Sequence, residues 1–358
     1  MGDVKKRKLA VFIGKSRPFS PQDTGYLLIE YLSKAGFNIA GVFLYEEDPL
    51  LEMASDEYPC FTLPPFLAAS FSKMKRELKD GNIPDDFAKW LTWFKEQSYE
   101  EGLVFYSNWI PPHIFNLFPR GMYNYHPGPL PELPGYEPET MAVLLGIDVF
   151  YGTLHTVNEK FDDGEIVWYS PAIKVKKTDG PVRVLYHTTR KAIEVLPAAL
   201  EATFNGTIKK PEIAGRSRVV YASRKACRAF AVIDWQRDGN ATILRKNRAF
   251  NEQEISLFLM ANITGEIHVV LDAVNGNSLF RRLFTFRGRL PKAKFPGIIY
   301  GTYLGPGRFY RCPVIRTLTG RIIIKMLPTQ ESANIARIKS VRQSRTKVPA
   351  QLEKTISI

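Results

Sequence analysis

The first two hundred residues alternate short apolar runs with amphipathic stretches, and this alternation restricts the fold more than any other feature. Residues 9–13 read as a buried strand, 24–35 as an amphipathic helix and 38–45 as a second strand. A proline-rich stretch over 58–66 is predicted to be irregular. Helical periodicity follows over 71–79 and 85–97, then a third strand over 102–106. A short helix from Pro112 leads to a fourth strand over 121–125. Such alternation predicts right-handed βαβ crossovers: an α/β domain on a doubly wound, mainly parallel sheet with helices on both faces. Ligands of such sheets bind beyond the carboxyl ends of the strands, and Asn124 and His126 stand at one of those ends.

Further strands over 149–156 and 166–169 flank a tight acidic turn, and a long helix over 181–204 closes the first domain, 1–204. A linker rich in Gly, Pro and basic residues spans 205–222. The second domain, 223–328, has a different character. One helix, 241–250, precedes β-like runs at 267–271, 297–304, 309–316 and 321–326. Short strands between Gly-rich turns predict a small barrel. A basic tail covers 329–358.

Charge separates the two halves. The chain carries a net +13, but residues 205–358 hold 28 Lys/Arg against 9 Asp/Glu, whereas residues 1–204 hold 21 against 27. The tail supplies only a small part of that excess, so a polyanion-facing surface is expected within the folded second domain. No run approaches the ~18 apolar residues that a membrane span needs. The apolar run at 9–13 is too short for a signal-peptide core and lacks a small-residue cleavage site. Cys60, Cys227 and Cys312 lie far apart without metal-type spacing, which suits a reducing, cytoplasmic setting. His113, His187 and His268 have no partner pattern, and no His/Cys/Asp cluster has metal-ligand spacing.

The strongest local signal is Asn124-Tyr-His126-Pro-Gly-Pro-Leu-Pro-Glu-Leu-Pro-Gly135. With a strand period of two, Asn124 and His126 share one side. Further along lies Phe161-Asp-Asp-Gly164, a tight turn that exposes a carboxylate. Asn, His and Asp together suit acyl transfer to an amine: a neutral donor for an oxyanion, an imidazole at the tetrahedral centre and a carboxylate that raises its pKa. Alone, each element has a bland reading, since a His near prolines is usually structural and Asp-Asp-Gly is usually just a turn. His155 reads as packed or hydrogen-bonded. Asp163 is expected to face solvent or cap the turn.

Order and spacing of Asn-x-His-Pro, Leu-Pro and Gly, then Tyr151-Gly-Thr-Leu-His-Thr-Val157 and Phe161-Asp-Asp-Gly-Glu-Ile166, resemble the 10-formyltetrahydrofolate-dependent formyltransferases. That group includes methionyl-tRNA, glycinamide ribonucleotide and nucleotide-sugar N-formyltransferases. The resemblance covers residues 8–204. It continues more weakly through Ile233-Asp-Trp235, Arg248-Ala-Phe-Asn251 and Phe295-Pro-Gly-Ile298, which are similar to that family's C-terminal open β-barrel. It implies a catalytic first domain with Asn124, His126 and Asp162 as catalytic residues and 10-formyltetrahydrofolate as co-substrate. It implies that the pterin is held by Trp109 and Ile110 on one wall and by Asn158 and Phe161 on the other. Lys15 and Arg17, in the first βα loop, are expected to meet an anionic acceptor. The implied mechanism is direct transfer, with Asn124 and protonated His126 stabilising the oxyanion.

The chain departs from the family where Gly128 and Pro129 alter the loop after the His and Pro134 replaces a basic residue. The usual Pro-Trp-Pro after Arg-Ala-Phe-Asn is absent. These changes mark a divergent member and favour a small-molecule amine acceptor, nucleotide-linked, over aminoacyl-tRNA. The basic second half keeps the tRNA reading open. Two further alternatives are a formyltetrahydrofolate hydrolase and a non-catalytic nucleic-acid-binding protein.

Overall fold

A computed structural model describes residues 4–14, 21–106, 108–212, 219–251, 259–263, 266–278, 281, 285–286, 299–304, 309 and 312–326. The expected contacts Lys15 and Arg17, and the tail 329–358, lie outside the described residues. The chain forms two compact units that interleave in sequence. The first holds Met1–Gly135, Val149–Lys174 and Leu185–Val219, and the second Tyr136–Asp148, Val175–Val184 and Val220–Ile358.

In the first unit, β1 (Leu9–Ile13), α1 (Pro21–Lys34), β2 (Ile39–Leu44), α2 (Pro49–Ala54) and β3 (Cys60–Thr62) come first. There follow α3 (Phe71–Lys79), α4 (Asp85–Glu96), β4 (Glu101–Phe105), α5 (Pro112–Phe115) and β5 (Met122–His126). After α6 (Pro138–Leu145), a helix of the second unit, the chain adds β6 (Val149–Phe150), β7 (Thr153–Thr156), β8 (Ile166–Tyr169), β9 (Ile173–Lys174) and α7 (Pro181–Phe204). The central sheet has the order β3-β2-β1-β4-β5-β7-β8. Pairing is parallel from β3 to β5 and antiparallel through β7 and β8.

Why the early strands are apolar at every position is plain from their two faces. Leu9, Val11 and Ile13 pack with Leu28 and Leu32 of α1 and Ile193 and Leu196 of α7. The alternate residues Ala10 and Phe12 pack with Met74 of α3 and Phe87 and Phe94 of α4. A strand covered on both faces has no polar side to show. The mainly parallel, doubly covered sheet is therefore as expected.

Two details differ from expectation. The run 149–156 is not one strand but β6 and β7. A Cβ on Gly152 would stand 2.2 Å from the Tyr125 hydroxyl, and the Gly152 N–H is turned to Ser170 Oγ at 2.8 Å, so the ladder breaks there. The stretch 58–66 contains β3, an edge strand three residues long that pairs with β2 through Val42 and Cys60.

The second unit contains α6, α8 (Arg224–Arg228), β10 (Val232–Ile233) and α9 (Asn240–Asn251). Its strands continue as β11 (Leu259–Ile263), β12 (Glu266–Asn275), β13 (Thr285–Phe286), β14 (Ile299–Tyr303), β15 (Pro313–Thr317) and β16 (Gly320–Met326). They form a separate sheet of order β10-β11-β12-β16-β15-β14-β13, antiparallel except between β10 and β11. Among the described residues no pairing joins β10 to β13. α9 packs on β12, and within its surroundings Lys246 Nζ meets Asp238 Oδ2 at 2.5 Å, both side chains buried. Among the described residues no helix is long and apolar enough to cross a membrane, and no three His, Cys, Asp or Glu side chains are grouped to hold a metal.

Candidate active site

β4 and β5 run parallel and end together, and the chain leaving β4 lines a cleft near their carboxyl ends together with Asn124 of β5. The cleft is open, with about 340 Å³ of empty space. Asn108, Trp109 and Ile110 come from the segment after β4. Asn124 comes from β5, His155 from β7, and Asn158, Phe161 and Asp162 from the turn between β7 and β8. The structure therefore brings Asn124, Asp162, Trp109, Ile110, Asn158 and Phe161 into one cleft. His126 is buried and is not among the cleft-lining residues.

The turn is set by local chemistry. Asn158 Oδ1 accepts the Lys160 N–H at 2.9 Å, and Asn158 Nδ2 donates to the Asp163 carbonyl at 3.0 Å, an Asn-closed turn. Asp162 takes a left-handed backbone, φ 53°, a cost of order 1 kcal/mol for a residue with a Cβ. Gly164 then passes so close to the Thr156 carbonyl that a Cβ would stand 1.6 Å from its oxygen. The result aims Asp162 inward with its side chain 3% exposed, while Asp163 faces solvent beside Lys160 at 3.1 Å. The Trp109 indole N–H donates to the Glu159 carbonyl at 3.2 Å, tying the other wall to this turn.

Asp162 is the hub. Its Oδ2 accepts the Gly135 N–H at 2.8 Å and stands 3.5 Å from His126 Nδ1. Its Oδ1 lies 3.4 Å from Asn124 Nδ2 and 3.7 Å from His155 Nε2. His155 Nδ1 faces the Thr156 carbonyl at 2.9 Å. That contact assigns its proton to Nδ1 and leaves Nε2 to accept from Asn124 Nδ2 at 2.9 Å. His126 Nε2 likewise donates to the Leu133 carbonyl at 2.9 Å. Burial disfavours the Asp162 carboxylate, but the His126 and His155 imidazoles and the Gly135 N–H outweigh it, so its pKa lies below the ordinary carboxylate value. Burial dominates at His126 and, despite Asp162, pushes that imidazole below its ordinary value. An ionised carboxylate beside a neutral, buried imidazole is the outcome.

His155, which the sequence reads as packed or hydrogen-bonded, is both. In the β5–β7 ladder it stands directly opposite Asn124, and directly opposed residues share a side of the sheet. No local pattern around His155 carries that information.

With this geometry in place, residues 102–200 match the family model described as formyl transferase. That match covers less than a third of the chain. The matched segment contains all four polar groups of the hub: Asn124, His126, His155 and Asp162. It is similar to methionyl-tRNA formyltransferase of Treponema pallidum, 28% identical over 145 residues, which are 40% of this chain and 44% of the relative. It is similar also to the chloroplastic phosphoribosylglycinamide formyltransferase of Arabidopsis thaliana, 32% identical over 143 residues, 37% of this chain and 47% of that one. The matches thus span about half the length of these relatives. In fold the chain is similar to WlaRD, a sugar 3N-formyl transferase solved in the presence of dTDP and 5-N-formyl-THF. The TM-score is 0.56 at 15% identity, over 91% of this chain and 99% of that one.

Proposed function

We propose that this protein is a folate-dependent N-formyltransferase, which moves the formyl group of 10-formyltetrahydrofolate to the primary amine of a small metabolite, a nucleotide-linked amino sugar. The observation that carries the reading is the hub itself: one ionised carboxylate, two imidazoles and one amide at the carboxyl end of a parallel sheet, inside the segment that matches the formyl transferase model. The cleft also suits the co-substrate. Trp109, Ile110 and Val157 offer flat and aliphatic walls, and the polar groups gather around Asn124 and Asp162, the usual make-up of a small-molecule site.

Bound folate supplies the formyl carbon and the leaving nitrogen N10. A neutral acceptor amine attacks that carbon, the carbon–N10 bond breaks, and the amine proton ends on N10. The Asn124 amide N–H donates to the formyl oxygen as charge develops there. Asp162, held ionised, takes the amine proton and returns it to N10 as the carbon–N10 bond breaks. In this reading buried His126 stands behind Asp162, away from the reacting groups. It does not act as a standing cation, which is the role the family resemblance implies. His155 holds the Asn124 amide and faces the reacting groups.

A second reading, transfer to aminoacyl-tRNA, is favoured by the excess of 28 Lys/Arg over 9 Asp/Glu in residues 205–358 and by relatives named methionyl-tRNA formyltransferase. The two separate by assay. Conversion of 10-formyltetrahydrofolate to tetrahydrofolate is followed for the wild type and Asp162→Asn, without acceptor, with nucleotide amino sugars and with charged tRNA. Amino-sugar-dependent turnover lost in the variant supports the first reading. Dependence on tRNA, with binding that weakens steeply with salt, replaces it with the second. Turnover without acceptor marks a hydrolase, and absence of both turnover and folate binding removes the enzyme reading.

A further inference from the structure

Among the described residues, three that are not glycine take a positive φ: Ser98 at 53°, Tyr106 at 59° and Asp162 at 53°. Ser98 is an exposed residue just past the end of α4, where chains commonly leave a helix in this conformation. The other two belong to the two walls of the cleft. Asp162 lines it, and Tyr106 stands at the root of the wall formed by Asn108, Trp109 and Ile110. Glycine takes a positive φ freely, whereas a bulky aromatic residue there is an outlier. It persists only where its surroundings over-determine it.

Three elements hold Tyr106 in place. The Gly14 N–H, at the end of β1, donates to the Phe105 carbonyl at 2.9 Å and fixes the peptide before it. The Tyr106 ring stands edge to face with Phe105, centroids 4.4 Å apart, and with Tyr125 of β5 at 6.4 Å. Its hydroxyl shares a hydrogen bond with the hydroxyl of Thr189, a buried residue of α7. Had the chain stayed extended past Phe105, Trp109 would lie about 13 Å further along the strand axis. The left-handed residue breaks that course. Beyond it the wall has lighter ties: Asn108 Nδ2 donates to the Leu67 carbonyl at 3.2 Å, and Trp109 meets the Phe71 ring and the Glu159 carbonyl.

We propose that Tyr106, clamped by Thr189, is a positioning residue for the donor. It fixes the Asn108–Ile110 wall, against which the flat heterocycle of the folate binds, and it does not itself line the cleft. This role rests on the N-formyltransferase reading, whereas the clamp does not.

Tyr106→Phe and Thr189→Val remove the shared hydrogen bond from either side and keep the bulk. Binding of 5-formyltetrahydrofolate is followed by quenching of tryptophan emission, and donor KM and kcat by formation of tetrahydrofolate. Amide exchange over 106–110 is measured by mass spectrometry on the folate-free protein. Each variant should weaken folate binding and raise donor KM by about threefold to tenfold, the scale of one lost neutral hydrogen bond. The change in kcat should be smaller than that in KM, and exchange over 106–110 should be faster. The double variant should be no worse than either single one, because both remove the same bond. Thr189→Ser, which keeps the hydroxyl, should restore donor KM. A lower urea midpoint with donor KM unchanged marks a purely structural role and overturns the proposal, as does a fall in kcat alone. Wild-type protein that binds no folate removes the transferase reading and the donor role with it. Wild-type folate binding that neither variant changes removes the donor role alone.

Discussion

Replacing Gly164 by Ala tests whether the acidic turn is what holds the site together. The added Cβ would stand 1.6 Å from the Thr156 carbonyl oxygen, 2.6 Å from its carbon and 2.9 Å from Thr156 Oγ1. The first two are backbone atoms of β7, so no side-chain rotation relieves the contact, and the turn itself must retreat by more than ~1 Å to regain ordinary packing. Two bonds resist that movement: the Thr156 N–H to the Glu165 carbonyl and the Glu165 N–H to Thr156 Oγ1, each at 2.9 Å. Losing both costs about 1 kcal/mol each, and the charge-assisted bond from Gly135 to Asp162 is worth about 1.5–3 kcal/mol. The expected loss of stability is therefore ~2–5 kcal/mol, read as a lower urea midpoint. Because Asp162 lies two residues earlier in the turn, a shift near 1 Å should reduce kcat/KM by ~100-fold. Gly81→Ala is the control. Its Cβ would meet nothing within 4 Å, and its φ of +74° exacts only the left-handed penalty, about 1–2 kcal/mol, with turnover unchanged. Gly164→Ala with near-wild-type turnover and an unshifted urea midpoint would refute the claim that this turn positions the carboxylate.

Three other outcomes follow from the same geometry. Asn124→Ala should lower kcat by ~10²–10³ with little change in folate affinity, measured by single-turnover kinetics and folate titration. Stability should depend on pH in two steps. His126 has a lowered pKa when folded, so the unfolded chain takes the proton first and stability falls as pH drops below ~6.5. Asp162 has a lowered pKa when folded, so its contribution is present above ~3.9 and is lost as pH falls through the folded value. Urea midpoints between pH 7 and 3 should show both steps, the upper one missing in His126→Gln and the lower one in Asp162→Asn. In the second unit, Lys246→Ala strips the partner from buried Asp238 and should cost ~3–5 kcal/mol, seen as loss of that unit's unfolding transition with the first unit's retained.

How much of this was legible in the sequence depended on how local the cause was. The helices over 71–79 and 181–204 have the expected bounds, because an amphipathic stripe and a flanking Ser70 or Pro181 are local signals. α6 escaped notice for a physical reason. Residues Pro138 to Leu144 are all buried, Glu139 and Thr140 included, so the helix has no polar face and no 3.6-residue contrast to detect. β3 is too short to show a period. The break at Gly152 depends on the Tyr125 hydroxyl, 27 positions away.

The site divides along the same line. The structure gathers Asn124, Asp162 and the walls at Trp109 and Phe161 in one cleft, and all four come from the resemblance of whole motifs, since an Asp-Asp-Gly alone reads as just a turn. His155 does not, since what gives it meaning is the antiparallel register that sets it opposite Asn124. His126 shows the converse. Its motif is the loudest in the chain, yet burial leaves it neutral behind the carboxylate, and the imidazole that faces the cleft is the quieter one. Residue type and spacing therefore select which groups can meet, whereas protonation and access follow from burial, which depends on what the rest of the fold stacks above them. A reading of the motif alone assigns the positive charge to His126. The folded geometry puts the fixed charge on Asp162 and makes it negative, so formyl transfer here should depend on an ionised carboxylate and not on a standing imidazolium. The rate should accordingly not fall as pH rises past 7, and should climb as the acceptor amine loses its proton, where a mechanism needing protonated His126 would decline.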